Sequence, residues 1–400
     1  MVDLPAPWQH GYTIEFLKEL AAPFKHALSP HCHGAFGVPK EREVAEALVA
    51  NEFVGDAKAA ALVSRMKVAG RQHDFTGRDV VIPAGDIVIS KLGYSPGHEA
   101  AIQPLVAKIL SEHVPAASSG FFAAPAHAVW LQIYEEDPVS VSVARQCGFK
   151  YIAGKVTAGG DIIGLYAAMA ERAPIAYQPE ELACLGVIMP DYLSAGHAAT
   201  MLKELQAADE FWADHYSSYN KGKTWTAMAL QGYDPADPTF IIKPAEMSKK
   251  WKSENPQRMT AVAAPTVIVD RFPLTMTIVD AIPGKKDRVR FMRLAPGGGE
   301  LTRHADITDR EAGVADGKIA RIHLPLKTHS DVQFSSWGMR GNRATLTMPQ
   351  LAMCYLDQRK PHAARNGSDT ERIHLVIDVY STPELRRHIA AAVAAGTICT

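Results

Sequence analysis

Apolar and polar positions follow two textures along the chain. In the first half, short apolar runs alternate with amphipathic stretches. Residues 1–35 are an irregular lead-in, with Pro5, Pro7, Pro23 and Pro30 limiting any helix. Residues 40–70 are Ala-rich with helical spacing and end at Gly70. The β-branched run 80–92, interrupted by Pro83-Ala84-Gly85-Asp86, predicts one or two strands with a turn between them. Ser95-Pro96-Gly97-His98 opens a helix whose apolar residues are Ile102, Leu105, Val106, Ile109 and Leu110. A strand over 128–134, a helix over 139–147 stopped by Gly148, and paired strands over 149–156 and 162–168 follow. Residues 172–210 are Pro-rich at first and then predict one long helix over 195–208. From Thr224 the texture changes to short strands separated by Gly, Pro, Asp and Asn. The clearest lie over 266–269, 289–294, 319–326, 344–347, 353–356 and 372–380, and a short helix over 389–396 closes the chain.

This order predicts an α+β chain of two domains, an α/β N-terminal domain followed by a double-sheet β domain. The boundaries it suggests are a lead-in over 1–44, an α/β domain over 45–172, a helical linker over 173–210 and the β domain over 211–390. The length of 400 residues suits two cores, and 47% hydrophobic with 21% charged residues is ordinary globular composition. A net charge of -1 supplies no global basic field for nucleic acid or an anionic membrane. The five cysteines, Cys32, Cys147, Cys184, Cys354 and Cys399, are odd in number and widely spaced, with no CxxC pair. That argues against a disulfide framework or a paired zinc site. No basic-then-apolar leader and no apolar run of membrane length are present, so the expected location is cytoplasmic.

Candidate chemistry gathers in 289–380. The strand Arg290-Phe291-Met292-Arg293-Leu294 runs into the turn Ala295-Pro296-Gly297-Gly298-Gly299, and His304-Ala305-Asp306 follows. On extended chain, residues i and i+2 point to one side, so His304 and Asp306 can share a metal. His362, in Lys360-Pro361-His362-Ala363, is available as a third ligand. Two His and one carboxylate on one face of a metal is the arrangement of non-haem Fe(II) oxygenases, which leaves positions open for a co-substrate and O2. Ten residues on, Arg372 opens a strand; a guanidinium fork matches a carboxylate. An HxD triplet alone is weak, and a second one exists at His329-Ser330-Asp331, set aside because it follows the 319–326 strand and lies closer to His362. Trp225 and Trp337 are candidate pocket walls. His31-Cys32-His33 and the basic stretches Lys249–Lys252 and Lys285–Arg288 read as a loop and as solvated faces. Arg359, Lys360 and Arg365, flanking His362, either draw an acidic substrate or decorate a loop.

The segments RFMRLAPGGGELTRHADI, ARIHLPLKT, YLDQRKPHAARN and ERIHLVIDVY resemble the aspartyl/asparaginyl β-hydroxylase-like branch of the Fe(II)/2-oxoglutarate oxygenases, and within it the bacterial cis-proline hydroxylases. About 90 residues match closely, with fainter likeness back to Trp225 through Gly232-Tyr233. The resemblance implies a double-stranded β-helix, or jelly roll. It implies His304, Asp306 and His362 as iron ligands, and Arg372 as partner of the distal 2-oxoglutarate carboxylate. It also places Arg321 and His323 beside the 2-oxoglutarate. The implied cofactors are Fe(II), 2-oxoglutarate as co-substrate and O2. The implied reaction hydroxylates an aliphatic C–H bond while 2-oxoglutarate is converted to succinate and CO2; the carboxylate at Asp306 favours hydroxylation over halogenation.

The order strand, helix, strand, helix, strand over 86–156, with Ala144-Arg145-Gln146-Cys147-Gly148-Phe149 at the late helix-to-strand junction, is similar to the GNAT acetyltransferase fold over about 45–170. The text Lys91–His98 departs from the family's pyrophosphate turn, and Pro96 removes a backbone donor that such a turn needs. The expectation is therefore a GNAT-like domain that recognises substrate or holds the chain together. The expected substrate is a small molecule or a peptide or protein, with a Pro, Asp or Asn residue first. Nucleic acid is not expected, and the oligomeric state is open. The alternatives are an acyltransferase with a non-catalytic jelly roll, an oxygenase acting on nucleic acid, and a metal-pocket binding protein without turnover.

Overall fold

The computed structural model describes residues 51–55, 59–66, 69–94, 97–113, 127–216, 220, 222–307 and 310–400. The expected lead-in over 1–44 and His31-Cys32-His33 lie outside them. The chain forms two compact units of mixed α and β structure. One holds residues up to 155 together with 161–176 and 339–341; the other holds 156–160, 177–338 and 342–400.

In the first unit the strands β1 (Asn51–Gly55), β2 (Ala59–Arg65), β3 (Gly70–His73), β4 (Asp79–Ile82), β5 (Ile87–Tyr94), β6 (Val129–Tyr134), β7 (Lys150–Val156) and β8 (Ile162–Ala168) are joined by α1 (Ile102–His113) and α2 (Pro138–Gln146). Six strands form one sheet in the order β1-β2-β5-β6-β8-β7, and β3 pairs with β4. β5 and β6 pair in parallel, Ile87–Ile89 against Val129–Leu131. Buried Asp86 fixes the start of β5: it accepts from Ala128 N and Trp130 Nε1 and pairs with Arg172. The helix expected over 40–70 is corrected where its residues are described, since 51–55 and 59–65 are paired strands; 40–50 lie outside the described residues. Ala59, Ala61 and Val63 are buried. Antiparallel pairing of β2 with β1 on one side and β5 on the other overrides alanine's helix preference.

The second unit contains a large and a small antiparallel sheet. Its strands are β9 (Leu185–Met189), β10 (Ala213–Asp214), β11 (Trp225–Gly232), β12 (Ala264–Pro265), β13 (Lys286–Leu294), β14 (Gly299–His304), β15 (Ile319–Lys327), β16 (Val332–Trp337), β17 (Arg343–Leu346), β18 (Met353–Leu356), β19 (His362–Asn366), β20 (Arg372–Tyr380) and β21 (Ile398–Cys399). The large sheet runs β10-β11-β13-β20-β15-β18-β9-β21, with β12 against β11; the small one runs β14-β19-β16-β17. Its helices are α3 (Pro179–Leu182), α4 (Ala195–Gln206), α5 (Lys249–Glu254), α6 (Pro273–Asp280) and α7 (Pro383–Ala394). Ser194 caps α4, and Thr382 with Pro383 opens α7.

Alternation along β20 explains the layering. Ile373, Leu375, Ile377 and Val379 join the core formed with Met201, Leu205, Ile278, Val279, Leu385 and Ile389 of the helices. The next positions face the small sheet, where Val376 packs with Met292, Leu301, Phe334 and Ala364. Both faces of the large sheet are therefore covered.

Three expected elements differ. Residues 266–269 are not a strand; the pairing stops at Ala264–Pro265, and a 3-10 turn begins at Val269. The stretch 173–210 contains strand β9, paired with β18, as well as the expected helix. The closing helix begins at Pro383, one turn and more before 389, because its first turn is capped rather than apolar.

Candidate active site

The turn between β13 and β14 delivers the first candidate ligand. Gly297 and Gly298 have φ of 70° and 102°, and a Cβ at Gly299 would meet the Ala295 carbonyl at 2.3 Å. The chain can thus cross from the large sheet to the small one only through these glycines. Asn366, at the end of β19, locks the turn. Its Nδ2 donates to the carbonyls of Leu294, Ala295 and Thr370, and its carbonyl accepts from Gly298 N at 2.8 Å. β14 and β19 then pair so that His304 lies directly opposite His362. Their ring centroids are 4.3 Å apart.

His304, Asp306 and His362 each offer a ligand atom within 4.8 Å of the others, and they are the one such group of three found among the described residues. His304 Nδ1 donates to the Thr302 carbonyl at 2.8 Å and His362 Nδ1 to the Lys360 carbonyl at 3.0 Å. A carbonyl can only accept, so both Nδ1 atoms carry hydrogen and both Nε2 lone pairs are left for a metal. Asp306 is fixed twice. Its backbone N–H donates to the Gln358 carbonyl, and Arg321 donates to its carboxylate at 2.9 Å. Burial pushes the Asp306 carboxyl up, but the Arg321 guanidinium with His362 and His304 outweighs it and holds the group down at about 2. Burial, with His304 beside it, takes His362 down to about 4. At neutral pH His362 is thus a neutral imidazole and Asp306 a carboxylate, and the Nε2 of His304 faces the same point. This donor set suits Fe(II) and leaves room for further ligands.

These residues line a cavity of about 520 Å³ in the second unit, together with Arg372, Arg321, His323, Arg288, Arg290 and Glu246. Arg372 is 3% exposed, and no hydrogen-bond or ion-pair partner is found for it among the described residues. Its guanidinium lies over the Phe334 ring at 5.2 Å. Burial takes its pKa down to about 9, so it remains a cation at neutral pH. His323 and His374 meet Nδ1 to Nδ1 at 3.3 Å, and the Nε2 of each is buried without a partner. Burial first, and nearby arginines next, push both far below the usual imidazole value, so both are neutral.

The sequence did not single out Asp378, Arg290 or Glu246 as site residues, and it read Lys285–Arg288 as a solvated face; that is corrected here, since Asp287 and Arg288 are buried and held in ion pairs. Asp378 is fully buried and accepts from Arg288, Arg290 and Arg321, each at 2.8–2.9 Å. Burial pushes its carboxyl up, yet the three guanidiniums bring it well below the usual range. A signal was present: charged residues at alternate positions inside otherwise apolar strands, Arg288-Val289-Arg290 and Ile377-Asp378-Val379, which only a polar interior accommodates. Trp225 lines the cavity as expected, whereas Trp337 lies elsewhere under Arg303 and Arg343. His329 and Asp331 are exposed and remote from it. Arg359 and Lys360 neither decorate a loop nor face solvent. Both are buried on Asp357, and Lys360 donates to the carbonyls of Glu181 and Ala183.

Residues 197–382 match the family model described as Aspartyl/Asparaginyl beta-hydroxylase. No curated protein matches. Solved structures similar to this chain include a Pseudomonas putida prolyl-4-hydroxylase, at 12% identity over 50% of this chain and 94% of that one, TM-score 0.29. Another is HygX from Streptomyces hygroscopicus with nickel and 2-oxoglutarate bound, at 13% identity over 52% and 89%, TM-score 0.30. A GNAT-family acetyltransferase from Streptococcus agalactiae is similar at 9% identity over 40% and 94%, TM-score 0.28. The matched segment runs from within α4 to just past the end of β20 and contains all three residues of the His-Asp-His cluster, so this part of the second unit matches the aspartyl/asparaginyl β-hydroxylase family.

Proposed function

We propose that His304, Asp306 and His362 hold the iron of this hydroxylase, that Arg372 binds the far carboxylate of 2-oxoglutarate, and that the substrate is a Pro, Asp or Asn residue of a peptide or protein. One observation carries the reading: a His-Asp-His set with both Nδ1 atoms tied to backbone carbonyls and an unpartnered buried guanidinium line one cavity. A buried cation without a counter-ion is costly, and a dicarboxylate that also reaches the metal offsets that cost. His323 stands beside it as a neutral imidazole suited to a second contact with the co-substrate. Arg321 serves differently. With Asp378 and Asp306 already on its guanidinium, it orients the Asp306 carboxylate as a ligand rather than taking 2-oxoglutarate itself. Bound iron supplies O2 activation coupled to decarboxylation of 2-oxoglutarate to succinate and CO2. The chain's own work is to align the C–H bond and to keep water out, with Trp225, Met292, Leu301 and Phe334 as the apolar lining.

The two facing sheets of the second unit support the double-stranded β-helix reading, with its domain over 211–390. The first unit's order of elements supports a GNAT-like domain over 45–172 that binds substrate rather than acetyl-CoA. Free thiols at Cys147, Cys184, Cys354 and Cys399 favour a reducing, cytoplasmic setting. No helix among the described residues is long and apolar enough to cross a membrane.

The test is succinate formation by anaerobically purified protein given Fe(II), 2-oxoglutarate, ascorbate and air. Slow turnover without substrate, lost in His304→Ala and Arg372→Ala, is expected. Failure of the wild type to bind either Fe(II) or 2-oxoglutarate refutes the reading.

A further inference from the structure

A second cavity, of about 900 Å³, opens in the same unit beside the first, and Glu246 lines both. The partition between them is a charged network. Arg288 bonds Glu246, and buried Lys243 pairs with Asp287 and with Glu311. Asp287 also accepts from Tyr233 Oη at 2.6 Å. These groups satisfy one another, which makes the partition a fixed wall rather than a binding site.

The rest of the lining differs in kind. Seven large hydrophobic residues are exposed among the described residues, and three of them, Met259, Val262 and Ile307, line this one cavity. Val262 is 69% exposed. Apolar side chains concentrated in a concavity mark a surface that a partner covers. Between them stand Lys252, Lys285 and Arg310, none of which has a carboxylate partner among the described residues. The Lys285 ammonium lies 5.8 Å from the centre of the Tyr380 ring. The cations outnumber the anions around the rim, in a chain whose net charge is -1.

We propose that this cavity receives the flank of an acidic peptide substrate. Carboxylates on the flanking segment meet Lys252, Lys285 and Arg310, and an apolar side chain between them covers Met259, Val262 and Ile307. The inference rests on the reading of the adjacent cavity as the hydroxylase site and adds that the substrate reaches beyond the reacting residue. A free amino acid leaves the second cavity unfilled. Exposed aliphatic side chains between the cations favour a peptide over a nucleic acid, whose bases stack on aromatic faces.

The experiment uses the full chain loaded with Mn(II) and 2-oxoglutarate. The probe is a fluorescein-labelled dodecapeptide of alternating glutamate and leucine with one central proline, read by anisotropy. Three comparators are used: the same peptide with lysine for glutamate, an oligoglutamate without leucine, and a single-stranded oligoadenylate. The acidic, leucine-containing peptide should bind at least tenfold more tightly than each. The charge reversal Lys252→Glu/Lys285→Glu/Arg310→Glu should weaken it tenfold or more, and Val262→Asp severalfold. Substrate-free succinate formation with Fe(II) should remain unchanged in all of them. Equal binding of the lysine peptide, or no effect of the reversal, overturns the proposal, and tighter binding of the oligonucleotide replaces it with a nucleic-acid surface. Loss of substrate-free succinate formation in the wild type would instead count against the hydroxylase site, so the two failures are distinguishable.

Discussion

Arg372→Met should make the protein more stable and bind 2-oxoglutarate less well. In most binding sites a buried arginine is tied to an acid, and removing it harms both properties. Arg372 is 3% exposed with no such partner among the described residues. Burial takes its pKa from the ordinary guanidinium range down to about 9, a penalty on the charged form of roughly 5 kcal/mol. Methionine keeps a stem of similar shape over Phe334 and removes the charge. Replacing poorly compensated buried charge by apolar groups is worth about 1–4 kcal/mol of stability, and the upper part of that range applies if the cavity around the head refills. Binding moves the other way. Losing a desolvated fork to a carboxylate costs about 2–5 kcal/mol, or roughly thirtyfold to several thousandfold in Kd. Urea unfolding of the metal-free protein and calorimetric titration of 2-oxoglutarate into the Mn(II) form measure the two effects. A variant that is less stable than wild type and binds 2-oxoglutarate equally well would refute the assignment, because Arg372 would then be a structural cation.

Four further outcomes follow from the same geometry. His304→Ala should lower Mn(II) affinity by more than about a hundredfold, read by electron paramagnetic resonance, since one of three ligand atoms is lost. Asp378→Asn leaves Arg288, Arg290 and Arg321 with one formal counter-charge fewer in a buried setting. It should cost about 3–5 kcal/mol in urea unfolding and also weaken metal binding, because Arg321 holds Asp306. Asn366→Ala removes two donations that lock the Gly turn and a third to the Thr370 carbonyl in the β19–β20 connection. A loss of about 3 kcal/mol is expected, with metal affinity falling alongside; loss of stability alone would separate the turn from the ligands. Mn(II) at a hundred times its Kd should stabilise the wild type by about 2.7 kcal/mol, and EDTA should abolish that gain. No such gain is expected in His304→Ala.

The His304-Asp306 half of the candidate metal cluster was legible because it is carried by short spacing on extended chain. His304 and Asp306 are two residues apart, so the strand period alone put them together. That His362 would stand opposite His304 was not legible, since it depends on the β14–β19 register, a long-range pairing. Composition also misled where strand pairing outweighed it. Residues 59–65 open with three alanines, and their strand character emerges only once β1 and β5 supply partners. Strand β9 was hidden within an expected linker for a similar reason, because Leu185-Gly186-Val187-Ile188-Met189 becomes a strand through pairing with β18. Asp378 was visible as a residue but not as a hub. Its three guanidiniums come from β13 and β15, strands on either side of β20 whose order the chain does not state.

β20 explains why the cavity keeps one cation without a counter-ion. Arg372, His374, Val376 and Asp378 occupy alternate positions on its inward side, and six residues of strand separate the two charged ends by about 20 Å. Asp378 is consumed at one end by Arg288, Arg290 and Arg321. Two neutral imidazoles and an apolar zone lie between it and Arg372, so no side chain in this stretch neutralises both ends. Moving an acid next to Arg372 would stabilise the protein and close the site to a carboxylate ligand. The interior instead holds its surplus positive charge at the end of the cavity remote from Asp378 and its counter-charges. A small dicarboxylate can then meet the arginine with one group and the His-Asp-His cluster with the other. The same separation leaves the Asp378 end free to be rigid, and there Arg321 carries its order onward to Asp306.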